Sequence, residues 1–278
     1  MFDPAKCDPR RLEIIDRVSS KLLMQTDHLQ AADLMVLGAH CRDLLHDSFG
    51  HDFALRATGD VDIAFAVAGW KAYREIVSGL DEVGDTGIRY RVDGVATDLV
   101  PFGPIEDPTG VVPDPNRNLS VWAFREVFNG ADTLPLASAG SIRVPTAAGY
   151  CALKLTAWLD RSCGNDYKDA SDIATVVYWY TSAQQVRDRL YETGEDGYAI
   201  LKRFDFDESS SAAYLLGQDV ATLIGSTRTD ELQARWPGPR IEELLRRMDI
   251  PGTPPTWTPH LARRAALLNA LQSGWSTG

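Results

Sequence analysis

Asp60, Val61 and Asp62 place two carboxylates at i and i+2 in a segment that reads as a β-strand. A third acid, Asp98, lies in a later short apolar run, Thr97-Asp98-Leu99. Alternate residues of a strand share a face, so Asp60 and Asp62 are expected to point the same way. Asp98 on a neighbouring strand would complete a three-carboxylate cluster. Carboxylates held this close must be neutralised, and for hard oxygen donors the usual counter-ion is a divalent metal, Mg²⁺ or Mn²⁺.

The elements around these acids follow from hydrophobic period. Val61, Ile63, Phe65 and Val67 alternate with Asp60, Asp62, Ala64 and Ala66, a strand pattern with one bulky apolar face and one face of acids and small residues that leaves room for a ligand. Leu34–Leu37 reads as a short strand stopped by Gly38, and Cys41–His46 as a helix opening on that turn. Residues 48–59, mixing Gly, His, Asp and Thr, read as a loop. Residues 69–80 read as a helix, and Ile88–Val92 and Val95–Phe102 as strands joined at Asp93-Gly94, a hairpin signal. Asp98 then shares its face with Ala96 and Val100. The spacing predicts a helix over residues 10–30, an irregular stretch over Pro101–Pro115, a helix within Val121–Phe128 and a last strand at Ser141–Val144.

After about residue 146 the pattern becomes helical: Tyr150–Leu159, Asp169–Tyr180, Gln184–Tyr191, Ala212–Leu223, Arg240–Met248 and Leu261–Leu271, the last preceded by a proline-rich linker, Pro251–Pro259. Ile241, Leu244, Leu245 and Met248 form one amphipathic stripe. Tyr178, Trp179 and Tyr180 read as packing between helices. The expected architecture is α+β, with a core domain over residues 1–145 and a helical domain over 146–278.

The chain has 278 residues and a net charge of −11, which argues against a broad nucleic-acid-binding face, since that would be basic. Cys7, Cys41, Cys151 and Cys163 are far apart with no CxxC spacing, so neither a zinc site nor a disulfide framework is expected and a reducing cytoplasm fits. No apolar run approaches ~20 residues, so no membrane span is expected, and the N-terminus lacks the pattern of a signal peptide.

Several motifs together resemble the polymerase-β-type nucleotidyltransferases, and among them the AbiEii-like family, toxins of toxin–antitoxin and phage-exclusion systems. They are Leu37-Gly38-Ala39, Arg42-Asp43-Leu44-Leu45, Arg56 through Ala64 with its DxD, Asp98 through Gly103, Leu153 through Trp158 with Asp160-Arg161, Lys168 through Ile173, and Leu215 through Asp219. They span roughly residues 34–225, and their order and spacing carry the likeness. The resemblance implies a polymerase-β-type core, a mixed sheet flanked by helices, followed by a helical domain that completes the active-site cleft.

It also implies transfer of a nucleoside monophosphate from an NTP to an acceptor, an RNA or tRNA 3′ end or a protein hydroxyl. Charge gathering on phosphoryl oxygens in such a transfer is offset by Mg²⁺. By resemblance Asp60 and Asp62 hold the metals, and Asp98 holds the one that carries the attacking hydroxyl. Nucleotide phosphates would meet Gly38, Ala39, Arg42, Lys154 and Lys168, with backbone N–H groups of the turn and helix N-terminus contributing. Arg42 has a structural alternative, a pair with Asp43 or with another acid across the fold. Asp169 or Asp172 lines the cleft opposite the DxD, with Asp172 preferred and Lys168 nearby. Where the family's turn is Gly-Ser, this chain has Ala39; the hydroxyl contact is lost, and phosphate binding is then weaker or uses His40. An antitoxin partner follows from the same likeness.

Two alternatives remain. Gly38-Ala39-His40-Cys41-Arg42-Asp43 partly resembles the turn of CCA-adding tRNA nucleotidyltransferases, though no later basic tRNA-binding region is evident. A catalytically weak nucleotide-binding module of the same fold is the other.

Overall fold

The computed structural model describes residues 2–27, 29–113, 118–192, 194–252, 254 and 256–276. The protein is α+β, with a mixed seven-stranded sheet and eleven α-helices among those residues. It divides into two compact units, Met1–Asp52 with Arg56–Thr146, and Phe53–Leu55 with Ala147–Gly278.

The first unit holds strands β1 (Leu34–Leu37), β2 (Asp60–Ala66), β3 (Asp81–Glu82), β4 (Arg89–Val92), β5 (Val95–Phe102), β6 (Val111–Val112), β7 (Leu119–Ser120), β8 (Asp132–Leu136) and β9 (Gly140–Val144). Its helices are α1 (Pro9–Leu23), α2 (Gly38–Ser48), α3 (Trp70–Val77) and α4 (Phe124–Asn129). The main sheet runs β3-β4-β5-β2-β1-β9-β8, and β6 pairs separately with β7. β2 lies parallel to β5 and antiparallel to β1, which makes the sheet mixed at its centre.

The alternation in β2 decides its orientation. Val61, Ile63 and Phe65 are fully buried while Asp60 and Asp62 are half-buried, and in β5 Thr97 and Leu99 are buried on the same side. Burying side chains of this size contributes roughly 1.5–3 kcal/mol each, so a one-residue slip, which would turn the acids inward, is strongly disfavoured. α1 begins where Asp8 caps the Arg10 N–H with Pro9 at the first helical position, and buries Ile15, Val18 and Leu22 at helical spacing.

The second unit is built of α5 (Ala147–Arg161), α6 (Asp169–Ser182), α7 (Gln184–Glu192), α8 (Glu195–Arg203), α9 (Glu208–Arg235, broken at Gly225), α10 (Ile241–Arg247) and α11 (Leu261–Trp275). Trp158, Trp179 and Trp275 anchor its core. α9 and α11 cross where both chains are glycine: a Cβ on Gly217 would overlap the Leu271 carbonyl oxygen, and one on Gly274 that of Tyr214. The Leu215–Asp219 motif also carries a tie, for Asp219 accepts from the Tyr180 hydroxyl (2.8 Å) and both terminal nitrogens of Arg189 (2.6 and 2.8 Å).

Several sequence expectations need correction. The first helix ends at Leu23, not near residue 30. β8 and α8 were not foreseen. β8 contains Pro135, which reads against a strand, but β8 is an edge strand, where proline is tolerated. The Val121–Phe128 helix begins only at Phe124, after Ala123 takes a left-handed conformation (φ 61°). The stretch Pro101–Pro115, expected to be irregular, contains β6, and its last residues, Asp114 and Pro115, lie outside the described residues. Thr253 and Pro255 of the proline-rich linker also lie outside them. Phe53–Leu55, three residues of the loop ahead of the DxD strand, belong with the helical unit. There the Phe53 ring meets the edge of Tyr178 at 5.7 Å, and Gly252 comes so close that a Cβ would sit 2.9 Å from the Ala54 carbonyl oxygen.

Candidate active site

Strand register sets the three acids at neighbouring positions on one face of the sheet. Parallel pairing of β2 with β5 sets Asp62 directly beside Asp98, and Asp60 lies two residues away on the same face. Antiparallel pairing with β1 sets Leu37 opposite Asp62, so the turn that follows β1 arrives at the acid cluster. That turn requires glycine twice over. Gly38 has φ +58°, and a Cβ on it would overlap the Asp62 carboxylate, whose Cγ would be only 2.6 Å away. The Gly38 backbone opens α2 with no side-chain cap, leaving the positive end of the helix beside the carboxylates.

The cation that sits among these acids in the structure is an arginine. Arg89 on β4 is the register partner of Asp98. Its Nε donates to Asp98 Oδ1 (2.6 Å) and its Nη2 to Asp98 Oδ2 (2.9 Å) and Asp60 Oδ2 (2.7 Å). The Thr58 hydroxyl donates to Asp60 Oδ1. Hydrogen bonding to Asp98 raises the Arg89 pKa further above its already high value, despite partial burial, so it is always charged. Sequence reasoning missed Arg89, yet the signal was present. A two-residue Asp93-Gly94 turn pairs Val92 with Val95, and counting outward along the hairpin brings Arg89 opposite Asp98.

Nearby, Arg42 is buried (2% exposed), paired with Asp43 at 2.8 Å, and its Nη2 donates to the Arg56 carbonyl (2.6 Å). These contacts tie α2 to the loop entering the DxD strand. Ala39 offers no side-chain donor. His40 is buried and its Nδ1 has no hydrogen-bond partner among the described residues. Burial lowers its pKa, against the pull of the Asp43 and Asp60 charges, so the imidazole is neutral near pH 7.

The other expected residues lie in the second unit. Lys154 Nζ on α5 pairs with Asp172 Oδ2 (2.6 Å) and Asp169 Oδ1 (3.2 Å) of α6, and Arg161 Nη1 reaches both Asp169 oxygens at 3.1 Å. Asp169 is fully buried and Asp172 nearly so. Burial pulls the Lys154 pKa down, but the Asp172 and Asp169 charges outweigh it and the net shift is upward. Lys168 takes no part in this cluster; it is about half exposed and pairs with Asp166 at 3.1 Å. Tyr178, Trp179 and Tyr180 are buried.

No protein-family model matches this chain, and no curated protein matches it. The chemistry of the site therefore rests on its own residues. Among the described residues no three His, Cys, Asp or Glu side chains are placed together as metal ligands; the guanidinium of Arg89 lies between Asp60 and Asp98 instead. The donor set nevertheless suits a hard divalent cation. It offers three carboxylates on adjacent strands beside a side-chain-free turn at Gly38. Among the described residues no helix is long and apolar enough to cross a membrane.

Proposed function

We propose that this chain is a metal-dependent nucleotidyltransferase that moves a nucleoside monophosphate from an NTP to a hydroxyl of RNA or of a protein. The observation that carries this reading is the convergence of Asp60, Asp62 and Asp98 on one half-open face, directly beside a turn where only glycine fits. The central strand order β5-β2-β1, with β2 parallel to one neighbour and antiparallel to the other, agrees with the mixed core expected of this class.

Asp60, Asp62 and Asp98 would hold Mg²⁺. The bound ion would supply charge stabilisation at the phosphoryl oxygens and acidify the attacking hydroxyl. The chain's own residues orient the nucleotide. The N–H groups at Gly38 and Ala39, at a helix N-terminus, would donate to a phosphate, and neutral His40 would add one donor nitrogen. Lys154 and Asp172 pair with each other within the second unit, and the phosphate role expected of Lys154 forms no part of this proposal. A toxin role, with an antitoxin as partner, extends it.

The test is incubation of the purified protein with each α-labelled NTP, Mg²⁺ and either total RNA or a protein lysate. An Asp60→Ala/Asp62→Ala double variant runs alongside. Transfer should appear with at least one NTP and vanish in the double variant; transfer that survives unchanged removes the proposed site. Growth arrest on overexpression should depend on the same two residues. Nucleotide binding without transfer is the second reading. Ala39, which removes a phosphate contact, and Arg89, which occupies the carboxylates, both favour it, and calorimetry showing NTP binding with no labelled product would select it.

A further inference from the structure

We propose that Arg89 is a displaceable counter-ion of the carboxylate trio. It holds the metal site together when empty, and a divalent cation must evict it in order to bind. The inference rests on the nucleotidyltransferase reading only in taking these carboxylates as the metal's seat. Every carboxylate oxygen of Asp60 and Asp98 already accepts a hydrogen bond: both oxygens of Asp98 and one of Asp60 from Arg89, the other of Asp60 from Thr58. Mg²⁺ and Mn²⁺ need carboxylate oxygens as direct ligands, for Mg²⁺ at about 2.0–2.1 Å in a near-octahedral set. A guanidinium forked onto the same oxygens and an inner-sphere cation exclude each other.

The backbone that carries Arg89 is held by the sheet, while its side chain reaches solvent. β4 is paired on both edges, with β3 and with β5, and the Arg89 carbonyl accepts from the Val83 N–H at 2.8 Å. The side chain is about one-third exposed, as is that of Asp60, so rotation about its own bonds carries the guanidinium to solvent without disturbing the sheet. Once released, its planar fork matches phosphate oxygens as well as it matched carboxylates. The exchange therefore couples entry of the cation to a free arginine beside it.

The test reads metal occupancy rather than catalysis. Mn²⁺ alone is titrated into wild-type, Arg89→Gln and Arg89→Lys protein, with free Mn²⁺ followed by electron paramagnetic resonance. Arg89→Gln is expected to bind Mn²⁺ at least tenfold more tightly than wild type. Arg89→Lys, which keeps the charge and loses the fork, should fall between them. Without metal, Arg89→Gln should melt at a lower temperature than wild type, and Mn²⁺ should raise its melting temperature by more. Adding Asp62→Ala to Arg89→Gln should abolish the binding. Equal or weaker Mn²⁺ binding by Arg89→Gln with an unchanged circular dichroism spectrum overturns the proposal, as does absence of binding in all variants or binding that survives Asp62→Ala. Should Arg89→Gln fail to fold, Arg89→Lys decides alone: tighter binding than wild type supports the exchange, and equal or weaker binding overturns it. Protein that binds Mn²⁺ in the expected order but transfers no nucleotide would end the transferase reading and leave this one intact.

Discussion

Among the described residues, each unit contains a cluster in which a basic side chain meets more than one aspartate, and these two clusters differ in a way that separates structure from chemistry. In the helical unit, Asp169 is 0% exposed, Asp172 4% and Lys154 13%. In the sheet unit, Asp60 and Arg89 are each 32% exposed and Asp98 17%. Buried charges without partners are costly, so the first cluster must stay assembled for the fold to persist. The second is wet enough to exchange its partner, which a site that takes up and releases an ion requires. Similar residue types thus act as a rivet in one place and as a changeable seat in the other.

The sharpest way to break this comparison is Lys154→Met. Removing one member of a buried ionic group leaves acids uncompensated and typically costs about 3–5 kcal/mol. Urea unfolding should show a loss of that size, and a loss below about 1 kcal/mol would erase the distinction between the clusters. Gly38→Ala comes next. It adds a side chain at positive φ and against Asp62, which should destabilise by about 2 kcal/mol through strain and overlap, and it should weaken Mn²⁺ binding by displacing that carboxylate.

An ion pair of intermediate kind sharpens the contrast. Asp207 caps α9, accepting from the Ser209 N–H at 3.2 Å, and pairs with Arg263, whose Nη2 lies 2.7 Å away; the two side chains are 32% and 35% exposed. This matches the exposure at Arg89, but here the acid also performs a helix cap. Asp207→Ala should cost about 1 kcal/mol, from the cap and the ion pair together. Hydrogen bonds from Arg263 lower the Asp207 pKa from 3.8 to about 2. A carboxylate with a depressed folded pKa stabilises fully above its unfolded value and loses that contribution as pH falls through the folded one. The gap between wild type and Asp207→Ala, read from urea midpoints, should therefore be constant above about pH 5 and shrink between about pH 4 and 2. The smallest effect is expected of Arg89→Gln, less than about 1 kcal/mol at physiological salt, although it should change metal affinity most.

Much of this was legible in the chain. The alternation of Val61, Ile63 and Phe65 with Asp60 and Asp62 forces the acids to one face, and Asp93-Gly94 fixes the register of the hairpin that carries Asp98. Arg89 is harder to read because a lone cation in a short strand carries no periodic signal; only counting from the turn finds it. The Lys154–Asp169–Asp172 grouping is partly written in helical spacing, but that Asp169 rather than Lys168 sits at its centre depends on how α5 packs on α6, which local pattern does not encode. β8 was hidden by Pro135, whose meaning changes once the strand is known to lie at a sheet edge. Phe53–Leu55 was hidden because a three-residue excursion has no signature at all.

That excursion has a practical corollary. Cutting the gene after codon 146 does not yield two intact halves. The amino-terminal fragment would carry an aromatic ring deprived of Tyr178, a few residues ahead of the strand that bears Asp60. The carboxy-terminal fragment would expose the seat that Phe53 and Ala54 normally fill beside Gly252. Expressed separately, the pieces should aggregate or remain inert, and co-expression or a synthetic peptide spanning residues 49–59 should rescue the second.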